Sequence, residues 1–323
     1  MLDFSRLITA SVLKEITRKY WRFIARKNEI ERRFMGLFEN VTLIDIGASY
    51  FIPATWSNAV KCESTTLIAI DPNEHNLRHL EDSLKCKLVL IPLAVGREDS
   101  NRDFYVLEPD SGSSLFKPEL LPEHRLRMSP EKIRSYEPRR VTKIKTQSLV
   151  KAIDNVGIES SVWMKLDVQG AELEILRDLG NFSAKSRVTL IELEASTLRT
   201  PIMSGSARFA EIVKHLEDEG FELAWIEPVY ESGNLKSVEK LKYSGYLAEC
   251  NLLFIRNLDS FKDWDMPLKI SLFLGLVSYG LISQAYQIAA NDFPLSEKLR
   301  ENGLYSEENS DFIKLFDSLL PIN

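Results

Sequence analysis

Val162-Trp-Met-Lys-Leu-Asp-Val-Gln-Gly-Ala-Glu-Leu-Glu-Ile-Leu176 is the stretch from which the fold is read. A short apolar run ends at Asp167, the chain turns at Gly170, and Leu173, Leu176 and Leu179 then recur at helical spacing. This pattern predicts a buried strand, a tight turn and an amphipathic helix. In an open α/β sheet, ligands bind just outside the carboxyl ends of the strands, which places Asp167 and Glu172 where chemistry is done. A plainer reading stands beside it, in which Asp167 caps the helix and Glu172 favours the positive end of its dipole.

Upstream, Val41-Thr-Leu-Ile-Asp-Ile-Gly-Ala-Ser49 is a second β-rich run closing on an acid and a glycine. Pro53, a good first helical residue, predicts a helix over 54–61. Thr66-Leu-Ile-Ala-Ile-Asp-Pro72 is a third strand ending in an acid. The interval from Gly47 to Asp71 is close to the roughly 20 residues between a nucleotide-binding glycine turn and the carboxylate that grips a ribose. A carboxylate suits that task because it accepts hydrogen bonds from both ribose hydroxyls. A nicotinamide-dependent oxidoreductase is the rival enzyme, but it needs a fuller glycine fingerprint than Asp45-Ile-Gly-Ala-Ser-Tyr-Phe51 supplies.

Taken in order, Leu43-Ile-Asp-Ile-Gly-Ala-Ser49, Ile68-Ala-Ile-Asp-Pro72, Pro92-Leu-Ala-Val-Gly96, Ser113-Ser-Leu115 and Met164-Lys-Leu-Asp-Val-Gln-Gly-Ala-Glu172 resemble the FkbM-type methyltransferases. The resemblance covers roughly residues 41–256. It implies a Rossmann-like class I fold and S-adenosylmethionine-dependent O-methylation of a glycan or secondary metabolite. It also implies that Asp45, Gly47, Ala48 and Ser49 surround the methionine end of the cofactor. Asp71 and Pro72 would then lie at the ribose, and Ala94 and Val95 near the adenine. The family usually carries a second glycine four residues after the first, and here that position is Phe51. A bulky residue there implies a re-routed loop, a weakened cofactor site, or a non-catalytic binding module.

The fold expected is α/β, a doubly wound, mostly parallel sheet with helical extensions at both ends. Strands are predicted near 41–46, 66–71, 87–91, 162–167, 187–194, 221–227 and 250–256, and helices near 54–61, 74–84, 171–179 and 206–219. The organisation read from the chain is a basic helical extension over 1–40, a catalytic domain over 41–258, and a C-terminal helical region over 259–323. The segment 96–146 interrupts the alternation. It holds strand-like pieces at 103–107 and 140–145, several prolines and a cluster of basic residues, including Arg125, Arg127, Arg139, Arg140 and Lys143. Long segments of this kind are usually functional or disordered, and a solvated loop is the plainer reading; the expectation set here is that 110–140 acts as a mobile cover, with its charge suited to an anionic acceptor.

Bulk properties fit a soluble enzyme: 44% hydrophobic residues, 27% charged and a net charge of −6 over 323 residues. The acidic balance argues against a nucleic-acid binder. Cys62, Cys86 and Cys250 form no CxxC pair and no zinc spacing, which suits reduced thiols in the cytoplasm. His75 and His79 share a helix face without a further ligand placed by the sequence, so no metal is assigned. Residues 1–38 alternate basic and apolar side chains, which suits packing on the domain, a homo-oligomer contact or peripheral contact with an anionic membrane. Ile270 to Asn291 carries no charge, but its serines, glutamines and glycines point to a buried helix or helical hairpin rather than a span.

Methyl transfer is an in-line displacement at the sulfonium carbon, and a hydroxyl acceptor needs a base to take its proton. Asp167 is the expected base or orienting group. Glu172 supports it from the next helix, and Glu194 of the following strand, with Glu192 on the same face, reaches the acceptor pocket. The acceptor is expected to be a small molecule or glycan.

Overall fold

The computed structural model describes residues 29–39, 41–80, 84–231 and 245–316. The expectations placed on residues 1–28 therefore lie outside the described residues. Two compact units divide the chain: residues 40–272, and the terminal segments 1–39 with 273–323.

The larger unit is built on a seven-stranded sheet. Its strands are β1 (Val41–Ile46), β2 (Thr66–Ile70), β3 (Lys87–Ile91), β7 (Ser161–Leu166), β8 (Val188–Ser196), β9 (Phe221–Glu231) and β10 (Tyr246–Arg256). They lie in the order β3-β2-β1-β7-β8-β10-β9. The first five are parallel, and β10 pairs antiparallel with both β8 and β9. This is the mixed, mostly parallel sheet that the alternation implied. Central β1 is buried along its whole length, and Leu43, Ile44, Leu67, Ile68 and Trp163 are almost wholly out of water. Strands buried on both faces read as unbroken apolar runs, which is why their ends were legible.

The helices depart more from expectation. The stretch 54–61 is two short 3₁₀ turns, Ala54–Trp56 and Ala59–Lys61, with Pro53 as the first cap. Trp56 is fully buried, so packing fixes this segment where helix propensity does not. The helix after β2 is described only over Glu74–Arg78, and the one after β7 over Glu172–Leu176. Phe209–Asp218 ends at Gly220, whose φ of 88° suits the left-handed residue that commonly terminates a helix.

The interrupting segment holds regular elements of its own. β4 (Ala94–Val95), β5 (Ser100–Val106) and β6 (Arg140–Gln147) form a second sheet in the order β4-β6-β5. Between β5 and β6 the chain makes short helices at Pro122–Arg125 and Pro130–Ser135, the latter capped by the Ser129 hydroxyl, which accepts from the Lys132 N–H. Leu107, Met128 and Tyr136 pack against Leu198, Ile202, Met203 and Ala248. Buried His124 donates from Nε2 to the Thr200 carbonyl and accepts the Leu121 N–H at Nδ1. The segment 110–140, expected to act as a mobile cover, thus carries its own small apolar cluster.

In the terminal unit, Phe34, Phe273, Phe312 and Phe316 form an edge-packed aromatic core. The charge-free stretch forms two helices, Met266–Ser278, which begins in the larger unit, and Ile282–Ala290, separated by a break at Gly280, where φ is 75°. No helix among the described residues is long and apolar enough to cross a membrane.

Candidate active site

Three strand ends meet at one place. The Asp167 N–H donates to the Ile46 carbonyl, and the Gly47 and Ala48 N–H groups donate to the Ile70 carbonyl. Gly47 has a φ of +85°, and a Cβ built there would stand 1.9 Å from the Asp167 carbonyl oxygen. Only glycine meets both demands, a left-handed backbone and direct contact with another chain segment.

Outside these ends lies a cavity of about 290 Å³. Gly47, Ser49, Asp71, Pro72, Ala94, Val95 and Asp167 line it, joined by Asn73, Asn76, Asp110 and the inner face of β5 and β6. Asp45 and Ala48 do not reach the cavity wall and are buried behind it. Phe51 is 86% exposed, does not line the cavity, and is not among the residues of positive φ. Its aromatic ring turns outward and leaves the cavity open.

Asp71 Oδ1 accepts the Asn73 N–H at 2.7 Å. Burial pushes this carboxyl up to about 7 against that hydrogen bond, with help from the nearby acids Asp110, Asp45 and Asp167. Asn73 also donates through its side chain to Asp110 at 3.0 Å, closing the turn around the cavity's edge.

Asp167 does not cap the following helix, whose N-cap is Ala171 with no side-chain cap hydrogen bond. Its oxygens accept instead from Lys165 Nζ at 3.1 Å and Gln169 Nε2 at 3.0 Å. Lys165 also stands 3.6 Å from Asp45, with which it is paired across β1 and β7, and it faces Glu192 across β7 and β8. Burial works against the lysine's charge, but the carboxylates of Asp45, Asp167 and Glu192 outweigh it and hold its pKa above the ordinary value. Burial raises the Asp45 carboxyl, and one of its oxygens lacks a hydrogen bond among the described residues.

Glu172 reaches Asp167 through the backbone rather than through the carboxylate of Asp167. Its carboxylate accepts the N–H groups of Val168 and Gly170, at 2.9 Å for the shortest bond, and so fastens the turn that carries Asp167. That turn holds two left-handed residues in succession, Gln169 at φ 54° and Gly170 at φ 112°. Buried Ser114 secures it from above by donating to the Gln169 carbonyl at 2.6 Å. Glu172→Ala is expected to cost about 1–3 kcal/mol of stability, as two half-buried donors lose their acceptor; urea unfolding at fixed pH measures it, and an unchanged midpoint overturns the role.

Glu172 and Glu194 line a second, smaller space of about 40 Å³ with Glu249 and Tyr136 rather than the main cavity. Burial, then Glu249, Asp167 and Glu172, push the Glu194 carboxyl up to about 8. The structure therefore brings Asp167 to the cavity and leaves Glu172 and Glu194 off its wall. Lys165, Asn73 and Asp110 were given no role in the sequence, while Ser114 stood only within a family-like stretch and Arg140 only within the basic cluster. For Lys165 a signal existed, since a lysine in an otherwise apolar buried strand calls for a charged partner.

The methyltransferase FkbM domain model matches residues 45–223. Curated proteins give no match. Among solved structures, a protein described as an S-adenosylmethionine-dependent methyltransferase of Listeria monocytogenes is 7% identical, over 72% of this chain and 99% of that one, with a TM-score of 0.35. A protein described as a methyltransferase of Thermobifida fusca is 12% identical over 72% and 81%, with a TM-score of 0.34. The tRNA methyltransferase TrmK of B. subtilis is 11% identical over 90% and 93%, with a TM-score of 0.29. The cofactor is S-adenosylmethionine, and the cavity fits it: a glycine where a Cβ would strike backbone, and a carboxylate at the end of the neighbouring strand. With the domain matched over more than half its length, this chain belongs to the FkbM methyltransferase family.

Proposed function

We propose that the protein transfers a methyl group from S-adenosylmethionine to a hydroxyl of a small-molecule or glycan acceptor. The observation that carries this reading is the convergence of Gly47, Asp71 and Asp167, from three separate strand ends, on one cavity beside Ala94 and Val95. When bound, S-adenosylmethionine supplies an electrophilic methyl carbon on a sulfonium. In this reading Asp71 holds the ribose hydroxyls, Gly47 and Ser49 line the methionine end, and Ala94 and Val95 flank the adenine. Asp167, held between Lys165 and Gln169, keeps free lone pairs on its carboxylate to orient the acceptor hydroxyl and take its proton. Lys165 and Glu172 act through Asp167, one through its carboxylate and the other through its turn.

Calorimetry with S-adenosylhomocysteine tests the reading, beside thermal shift with NAD as a control. Asp71→Ala is expected to weaken binding by about 1.5–3 kcal/mol, the scale of hydrogen bonds to a charged acceptor. The affinity also carries a pH signature. Ribose hydroxyls donate to the ionised carboxylate, so binding is full above pH 7 and falls as pH drops through about 7. In the ligand-free protein the same group acts oppositely on stability. The folded state keeps a proton that the unfolded chain releases near 3.8, so this contribution to stability falls as pH rises from there to about 7. Stabilisation by NAD alone, or by neither ligand, overturns the methyltransfer reading, and unchanged affinity in folded Asp71→Ala overturns the ribose assignment.

A further inference from the structure

We propose that the acceptor is anionic and that Arg140, on the inner face of β6, holds its phosphate or carboxylate group. The proposal rests on the methyl-transfer reading of the same cavity and adds the charge class of its substrate.

The basic residues of the interrupting segment are not equivalent. Arg140, Thr142 and Ile144 alternate along β6 and line the cavity, while Val141 and Lys143 between them do not, although Arg140 and Thr142 are also open to solvent. Three neighbouring cations are committed: Arg139 pairs with Glu108, Lys143 with Asp103, and Arg102 with Glu174. Arg140 has no ion-pair partner among the described residues, and it is the one lysine or arginine among the residues lining the cavity.

The acids of the cavity do not serve Arg140 either. Asp71 accepts from Asn73, Asp110 from Asn73 and Tyr50, and Asp167 from Lys165 and Gln169. An uncommitted guanidinium facing a cavity wall presents a rigid fork of donors that matches phosphate and carboxylate oxygens. Hydroxyls stand with it. Ser111, Ser113 and Thr142 line the same cavity, and Ser113 Oγ accepts the Leu107 N–H, which leaves its own hydrogen to donate.

Position sets this group apart from the adenine end of the cofactor site. β4 pairs with β6 through Ala94 and Thr146, while Arg140 pairs with Val106 at the far end of the strand. Six residues of strand separate Thr146 from Arg140, about 20 Å along its axis. Arg140 thus stands at the opposite end of the wall from the residues read as flanking the adenine.

The experiment uses the full chain saturated with S-adenosylhomocysteine, titrated with inorganic phosphate and, separately, with glucuronate. Phosphate-observed NMR reads the first and calorimetry the second. One or both probes are expected to bind, with affinity reduced about tenfold or more in Arg140→Gln and unchanged in Lys143→Gln, which alters the hairpin without touching the cavity. The probe that binds distinguishes phosphate from carboxylate recognition. Absence of binding by both probes, or equal losses in the two variants, overturns the proposal. If Arg140→Gln instead weakens S-adenosylhomocysteine, the arginine belongs to the cofactor and the proposal fails. Failure of the wild type to bind S-adenosylhomocysteine is a different result, and removes the methyl-transfer reading itself.

Discussion

Gly47→Ala is expected to remove S-adenosylhomocysteine binding and to destabilise the larger unit by about 3 kcal/mol or more. Two costs combine. Alanine at a φ of +85° pays about 1–3 kcal/mol for a left-handed backbone. The new methyl carbon would then lie 1.9 Å from the Asp167 carbonyl oxygen and 2.7 Å from its carbon. Both are backbone atoms, so no side chain can swing aside, and either the loop after β1 or the end of β7 must shift. Each movement displaces a residue of the cavity wall. Gly157→Ala is the control, because φ there is +25° and nothing lies within 4 Å of the added carbon. Denaturant unfolding and calorimetry on the two variants separate the steric cost from backbone strain. Wild-type affinity in Gly47→Ala would show that the loop can relax freely.

Asp167→Asn is expected to keep the fold and most of the cofactor affinity while turnover falls by about 10²–10⁴, the usual contribution of general-base catalysis. The charge of the side chain is the only large change, since asparagine is nearly isosteric. An asparagine oxygen can still accept from Lys165, but its amide nitrogen would face Gln169 Nε2, donor against donor, unless one amide rotates. The assay follows labelled methyl on any acceptor that the wild type turns over, with S-adenosylhomocysteine affinity measured on the same preparation. Near-normal turnover returns Asp167 to an architectural role. A loss of affinity that matches the loss of rate makes it a cofactor contact instead.

The residues that sit at strand ends were legible because buried parallel strands write themselves as apolar runs closing on a polar residue. Asp71 and Asp167 are of this kind, and Gly47 was identified by its place in the turn after β1. What escaped depends on partners distant in sequence. β4 is two residues long and exists only because β6 lies beside it. The turns at 54–61 follow from the burial of Trp56, which a propensity argument does not contain. Glu172 looked like a second carboxylate for chemistry, yet its hydrogen bonds run to the N–H groups of Val168 and Gly170, a local contact that competes with any role in solvent. Lys165 and Arg140 illustrate the remaining difficulty. One lysine is enclosed by three acids and one arginine is left over from several ion pairs, and only the folded arrangement distinguishes the enclosed cation from the spare one.

The three-stranded sheet has a consequence for engineering. Its inner face carries Arg140 and Thr142 at one end, while at the other β4 carries Ala94 and Val95, hydrogen-bonded to the same strand β6. A hairpin grafted from a relative with a different acceptor would therefore arrive with its own pairing to Ala94 and Val95. If this face holds the acceptor as proposed, the segment is not an interchangeable cassette. New substrate preferences in this scaffold would come more readily from point changes at 140, 142 and 113 than from transplanting the 100–147 segment whole.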